Sequence, residues 1–196
     1  MNYTQDNDKL YRYLFQNRAV RGEWVRLNQT FTDTLNTHHY PKAVQNLLGE
    51  MMVATNLLTA TLKFNGNITV QIQGDGPLKL ALVNGNDQQQ IRALARVQGD
   101  IQDGMSLHDM IGKGVLVITI APTEGERYQG VIGLDKPTIT ECLEDYFVRS
   151  EQLQNATINS GDKDAISSKI DGLIVKVIGT NNLVAAHTAI GLRTPL

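Results

Sequence analysis

The longest apolar pattern in the chain lies between Pro41 and Phe64, and its spacing is helical. Large apolar residues recur there at i, i+3, i+4 and i+7, and alanine, valine and leucine fill much of the opposite side. Pro41 suits a first helical position, and Asn65-Gly66 accept the positive φ of a helix end. A helix that is apolar nearly all round is buried nearly all round. The pattern therefore predicts one long buried helix, about residues 41–64, around which the rest of the chain packs.

On both sides of this helix the apolar period changes to two, which is typical of half-buried strands. The predicted strands lie within residues 10–27 (two, interrupted at Asn17 and Gly22), 68–72, 78–82, 90–97, 115–120, 127–134 and 173–178. Tight turns are predicted at 73–77, at 84–86 and at Glu124-Gly125, so the strands form hairpins and antiparallel sheets.

Three shorter helices are predicted from their capping residues. Thr30 begins a weak helix that ends at Thr37, and Ser106 begins one or two turns that end before Gly112. Thr138-x-x-Glu141 is a capping box, and the residues after it form an amphipathic face. That face consists of Ile139, Cys142, Leu143, Tyr146 and Phe147. Hairpins with separate helices predict an α+β domain.

Composition and charge exclude several classes of function. The chain has 196 residues and a net charge of −2 without charged blocks, so it lacks the basic face of a nucleic-acid-binding protein. The single cysteine, Cys142, excludes an internal disulfide framework and a multi-cysteine zinc site. Lys42, Glu50 and Asn56 make the long helix too polar to span a membrane, and the first residues are too polar for a signal peptide. We expect a cytoplasmic protein without membrane or nucleic-acid partners.

No group of residues forms an evident catalytic centre. The histidines have no evident serine or cysteine partner; they are His38, His39, His108 and His187. Gly74-x-Gly76 lacks the third glycine and the helix of a phosphate-binding loop, so a turn is expected. Two enzymatic alternatives remain: a hydrolase-like site in the turn at 124–127, with Glu124, Glu126 and Arg127, or a thiol enzyme using Cys142. The charged residues at 124–127 are more simply explained as exposed turn residues, and Cys142 as a small buried hydrophobic residue. No catalytic, cofactor-binding or metal-binding residue is assigned.

Several segments resemble the N-terminal domain of the heat-shock protein 33 family, bacterial redox-regulated chaperones. The segments that carry the resemblance are Arg12-Tyr13-Leu14-Phe15, Ala19-Val20-Arg21-Gly22-Glu23, residues 54–64 (ATNLLTATLKF), Gln73-Gly74-Asp75-Gly76-Pro77, Asn84-Gly85-Asn86, residues 124–130 (EGERYQG), residues 142–147 (CLEDYF) and Ser150-Glu151-Gln152. They lie in family order over about residues 8–154.

The resemblance implies an α+β fold of two packed antiparallel-rich sheets wrapped with helices around the long helix. It also implies an ATP-independent holdase that binds unfolding proteins through apolar surface under oxidative or heat stress. Residues 1–154 would form the chaperone core, and residues 155–196 a divergent C-terminal strand and tail of the same domain. A homodimer by strand exchange is a further expectation, because relatives form dimers in this way.

One part of the family pattern is missing from this sequence. Relatives carry a Cys-x-Cys and Cys-x-x-Cys zinc switch, whose ligands are absent here, so we expect no zinc and no cofactor in this chain. The alternatives to a holdase are the two enzymatic hypotheses and an inert truncated remnant.

Overall fold

The computed structural model describes residues 8–14, 16, 20–61, 65–146, 170–176 and 184–191, and the structural statements below concern those residues. The elements in chain order are β1 (Lys9–Leu14), β2 (Val20–Leu27), α1 (Gln29–Thr37), α2 (Lys42–Thr61), β3 (Gly66–Gly74), β4 (Leu78–Asn86), β5 (Ile91–Val97), α3 (Leu107–Ile111), β6 (Gly114–Pro122), β7 (Tyr128–Gly133), α4 (139–146), β8 (Ile170–Lys176) and β9 (Val184–Gly191).

The strands form two antiparallel sheets. One has four strands in the order β1-β2-β9-β8, and the other has five in the order β5-β4-β3-β6-β7. Helix α2 contacts strands of both sheets, so it lies between their inward faces. The predicted α+β fold of two antiparallel sheets around one long helix is confirmed.

Helix α2 is buried along nearly its whole described length. Leu48, Met51, Met52 and Val53 are each 0% exposed, as the apolar pattern predicts. The helix begins at Lys42, directly after Pro41, and its predicted last residues, 62–64, lie outside the described residues. The long helix is therefore the centre of the core.

Buried threonines on α2 satisfy their hydroxyls within the helix. Thr55 Oγ1 donates to the carbonyl of Met51 at 2.7 Å, and Thr59 Oγ1 donates to the carbonyl of Asn56 at 2.7 Å. A Cβ on Gly85 of β4 would lie 3.0 Å from Cγ2 of Thr59. Glycine at that position therefore lets the helix lie close to the sheet.

Two of the short helices begin as the sequence predicts. Ser106 caps α3 by accepting from the Asp109 backbone N–H at 3.1 Å, and Gly112 follows the helix with φ 67°. The capping box before α4 has both reciprocal bonds: Glu141 N–H donates to Thr138 Oγ1 at 3.2 Å, and Thr138 N–H donates to Glu141 Oε2 at 3.1 Å.

The cap of α1 differs from the prediction. Its N-cap residue is Asn28, without a side-chain capping bond, and not Thr30. The carboxylate of Asp8 accepts from the backbone N–H groups of Asn28, Gln29 and Thr30 instead. A carboxylate twenty residues away thus supplies the acceptors that a helix N-terminus needs, which no local pattern indicates.

Two strand boundaries also differ from the prediction. Gly22 lies inside β2, paired with Tyr13, and residues 84–86 belong to β4. The hairpin turns after Asn86, whose side-chain Oδ1 accepts from the backbone N–H groups of Gln88 and Gln90. The Asn-Gly-Asn sequence is a turn signal, but pairing with β3 keeps these residues extended.

The C-terminal part contains two strands where one was predicted. Strand β8 covers most of the predicted 173–178, and residues 177–178 lie outside the described residues. Strand β9 was not predicted, and it pairs with β2 on one side and with β8 on the other. The four-stranded sheet is therefore made by joining the two ends of the described chain.

Candidate functional site

The outward face of the five-stranded sheet carries a row of residues that is apolar on every strand except β3. The register places Leu94 of β5, Leu82 of β4, Gln71 of β3, Val117 of β6 and Val131 of β7 side by side. Alternate residues of a strand point to opposite faces, so these five share the side away from α2. We call this surface, with the flanking Leu80 and Val115, the outward face.

Large apolar side chains on the outward face reach solvent. Val131 is 62% exposed, Leu94 43% and Val115 38%, and the other apolar members are half-buried. The inward residues of the same strands behave differently: Val70, Ile72, Ala81 and Leu116 are each 0% exposed. Gln71 and Gln73 of β3 separate these apolar residues into a group on β4 and β5 and a group on β6 and β7. Exposed apolar groups of this kind are a feature of sites that bind another macromolecule.

The sequence analysis did not single out this surface. The signal was present, because β4 reads LKLALV and β6 reads VLVITI, with apolar residues at both parities. Such a run indicates a strand buried on both faces as readily as one with an exposed apolar face. The position of α2 on one side of the sheet shows that these strands are buried on that side and exposed on the other.

A cavity of about 260 Å³ lies on the buried side, between the first half of α2, α3 and the start of α4. Its walls are partly apolar and partly polar, and Glu50 of α2 contributes a carboxylate. Burial raises the pKa of Glu50. Two hydroxyls, those of Ser106 and Thr138, line the same cavity, and each accepts a capping hydrogen bond at the start of a helix, from the backbone N–H groups of Asp109 and Glu141.

Cys142 does not have the surroundings of a reactive thiol. The residue is 1% exposed within the core, and Sγ lies 3.9 Å from the carbonyl oxygen of Lys136. Burial raises the pKa of the Cys142 thiol, and the negative charges of Asp135, Glu141 and Asp145 raise it further. A reactive cysteine needs a lowered pKa and access to solvent, so the thiol-enzyme alternative gains no support.

The turn at 124–127 and the histidines are not brought together into a site. Residues 123–127, between β6 and β7, are exposed, as the simpler explanation of Glu124, Glu126 and Arg127 expects. His38 and His39 are exposed after α1, and His108 is exposed on α3. His187 belongs to β9, and its side chain lies outside the described residues.

The Gly74-x-Gly76 turn has a structural role. Gly76 N–H donates to the carbonyl of Ile111 at 2.8 Å, and a Cβ on Gly76 would lie 2.6 Å from the backbone of that residue. The glycine therefore lets the β3–β4 turn pack directly on the end of α3.

In the described part of the chain, no group of three or more His, Cys, Asp or Glu residues is placed to hold a metal ion. None of the described helices is long and apolar enough to cross a membrane.

The fold is that of a known class of chaperone. The crystal structure of the 33 kDa chaperonin from Thermotoga maritima superposes with a TM-score of 0.70 at 20% sequence identity, over 92% of this chain and 60% of that one. At this identity the likeness establishes the architecture alone.

Sequence comparison identifies the family. The family model described as "Hsp33 protein" matches residues 8–189. The 33 kDa chaperonin of Haemophilus influenzae (strain PittEE) is 89% identical over 156 residues, which cover 80% of this chain and 53% of that protein. That of Actinobacillus pleuropneumoniae serotype 5b is 71% identical over 179 residues, or 91% of this chain and 60% of that protein. The chain belongs to the heat-shock protein 33 family, as the quoted segments indicated.

The family match continues past residue 154, where the resemblance in the sequence ended, and includes β8 and most of β9. The chain spans little more than half the length of the curated relatives it matches.

Proposed function

We propose that this chain is an ATP-independent holdase that binds unfolding polypeptides on the outward face of the five-stranded sheet. The exposed apolar row from Leu94 to Val131 carries this proposal. An unfolding protein exposes apolar side chains that aggregate, and contact with an apolar sheet removes them from water without a nucleotide or a covalent step. The names of the curated relatives, 33 kDa chaperonins, support a chaperone.

A rigid base makes the outward face suited to this role. Its strands are held on their inward side by residues with no exposure, so client binding need not disturb the core. Partners are therefore proposed to be unfolded client proteins in the cytoplasm, with neither nucleic acid nor membrane involved. The chain is proposed to work without an enzymatic step and, because the family's cysteine ligands are absent from its sequence, without zinc.

We further propose that residues 1–154 and 155–196 act as one domain that can dimerise by strand exchange. The contact that would be exchanged is the pairing of β9 with β2, whose register runs from Val20↔Gly191 to Leu27↔Val184. The same pairing formed with a second copy would make a closed dimer. Light scattering at tens of micromolar tests this, and a monomer would contradict it.

The holdase proposal is tested with a heat-unfolding client whose aggregation is followed by light scattering without nucleotide. The unmodified chain is expected to suppress aggregation. A variant with Leu94→Gln and Val131→Thr should need several-fold more protein for the same suppression. Its free energy of unfolding should change by less than about 1 kcal/mol, because both side chains lie at the surface.

Tyr11→Thr is the matched control. Tyr11 is 42% exposed on β1 of the other sheet, where it stacks on Trp24. This variant removes an exposed apolar side chain outside the outward face and should retain suppression. Absence of suppression by the unmodified chain would refute the proposal and favour an inert remnant, and equal suppression by the Leu94/Val131 variant would refute the assignment of the surface.

A further inference from the structure

The charged side chains at the β5 edge of the outward face are positive, and the carboxylate of Asp135 lies beside Gly133 of β7 at the opposite edge of the sheet. The outward positions of β3 to β7 are all described, and none carries aspartate or glutamate. Arg92 and Arg96 are the only charged residues in the regular register of that face, and both are exposed. Lys79, at the irregularity between Leu78 and Leu80, donates to the carbonyl of Asp75 at 2.7 Å and adds another positive charge at the margin.

The two arginines border the apolar row. Arg92 is paired with Asn84 and Arg96 with Leu80, so they lie on either side of the Leu94–Leu82 pair. Residues two apart on one strand are about 6.5–7 Å apart on the same face. The guanidinium groups thus flank the apolar contact at the spacing of alternate residues in an extended chain.

We propose that the outward face selects extended client segments in which acidic residues lie two positions before and two positions after a large apolar residue, so that all three side chains share one face. Apolar side chains of the client would cover Leu94 and Leu82, and its carboxylates would bind Arg92 and Arg96. A guanidinium can donate two parallel hydrogen bonds to one carboxylate, so it binds an acidic side chain with defined geometry. This inference rests on the proposed holdase function and names the class of segment that it binds.

A simpler role for these arginines exists, and it makes a different prediction. Strand β5 is an edge of its sheet, and charged side chains on edge strands prevent pairing with another chain. Glutamate would serve that purpose as well as arginine. Client selection depends on the sign of the charge, so charge reversal separates the two roles.

The test uses the 196-residue chain and three fluorescent twelve-residue peptides with identical leucine and valine positions. The residues two positions from each apolar residue are glutamate, glutamine or lysine, so that the varied and the apolar side chains share one face of the extended peptide, and binding is followed by anisotropy at low ionic strength. We expect the glutamate peptide to bind about five- to tenfold more tightly than the lysine peptide, since each exposed ion pair contributes modestly. Raising the salt to about 0.5 M should remove most of the difference by screening.

Charge reversal supplies the decisive comparison. Arg92→Glu with Arg96→Glu should abolish or invert the preference and leave binding of the glutamine peptide within about twofold. The control, Lys42→Glu with Arg127→Glu, changes net charge by the same amount at exposed positions outside the outward face. It should keep the preference.

Each outcome decides between the two proposals. Equal binding of the acidic and basic peptides, or a preference that survives reversal of Arg92 and Arg96, would overturn selection by charge. If aggregation is still suppressed in that case, the holdase function stands without selection. If no peptide binds and aggregation is not suppressed, both proposals fail. A chain that binds only a second copy of itself would show concentration-dependent scattering without peptide binding, and would overturn both.

Discussion

The two faces of the five-stranded sheet are built from the same strands and differ in how far their side chains are exposed. Inward residues such as Ile72 and Leu116 are fully buried against the core, whereas outward residues such as Leu94 and Val131 remain 43% and 62% exposed. The inward face is apolar throughout, whereas the outward face mixes apolar residues such as Leu94 and Val131 with polar ones such as Gln71. The faces also differ in what covers them, because α2 packs on the inward face. Inward side chains are covered by helices and hold the fold together, whereas Leu94 and Val131 on the outward side keep a large exposed fraction within the described structure.

The inward face also affects the outward face, because it holds the strands in place. A sheet fixed on one side presents its other side as a preformed surface, which reduces the conformational entropy lost when a partner binds. Variants on the inward face should therefore change stability, and variants on the outward face should change capture.

The largest effect is expected from truncation on the inward face. Leu116→Ala should lower the free energy of unfolding by about 2–5 kcal/mol, because it removes buried methyl groups and leaves a cavity. Leu94→Ala, the same change on the outward face, should cost less than about 1 kcal/mol. Urea denaturation of both variants measures the difference. Similar losses would mean that the outward face is also part of the core.

A smaller change in stability is expected from substituting Glu50, whose carboxylate lines the cavity between α2, α3 and α4. Burial raises the pKa of Glu50, so its ionised form destabilises the folded state at neutral pH. Glu50→Gln should therefore raise the free energy of unfolding, by up to about 1 kcal/mol.

The pH dependence of this gain follows from the raised pKa. The gain should be full above the folded-state pKa and should disappear as pH falls through it towards the ordinary range of glutamate. Denaturation at several pH values measures it, with Glu126→Gln at the exposed turn as the control. A gain that persists unchanged at low pH would show that the cause is not the charge.

A modest increase in capture is expected from completing the apolar row. Gln71 interrupts the row between Leu82 and Val117, and Gln71→Leu should improve suppression about two- to threefold through added apolar contact. Gln102→Leu, at an exposed position outside the five strands, is the control. If both variants improve suppression equally, the improvement would come from added surface hydrophobicity in general and not from the outward face.

The smallest effect is expected from oxidation. Cys142 is buried with a raised pKa, so peroxide should leave aggregation suppression by the folded chain unchanged, and Cys142→Ser should behave in the same way. Thiol labelling that occurs only after unfolding would agree with this. A gain in activity with peroxide that is lost in Cys142→Ser would contradict it.

Local patterns determined a large part of the architecture. The helical stripe of α2, the cap at Ser106 and the capping box at Thr138 depend on residues within four positions of one another. The alternation in β3 and the hairpin of β6 with β7 are equally local, because neighbouring strands and their turn lie close in sequence. The family resemblance was carried by such segments as well.

Only the tertiary structure decided the remaining features, because each depends on groups far apart in the sequence. The carboxylate of Asp8 caps α1 from twenty residues away in the sequence. Strand β9 lies between β2 and β8, and more than 150 residues separate it from β2 in the sequence. The outward face is the clearest case. The sequence shows that β4 and β6 have apolar residues pointing to both faces of the sheet, but only the side on which α2 packs determines which of these residues form the core and which remain at the surface.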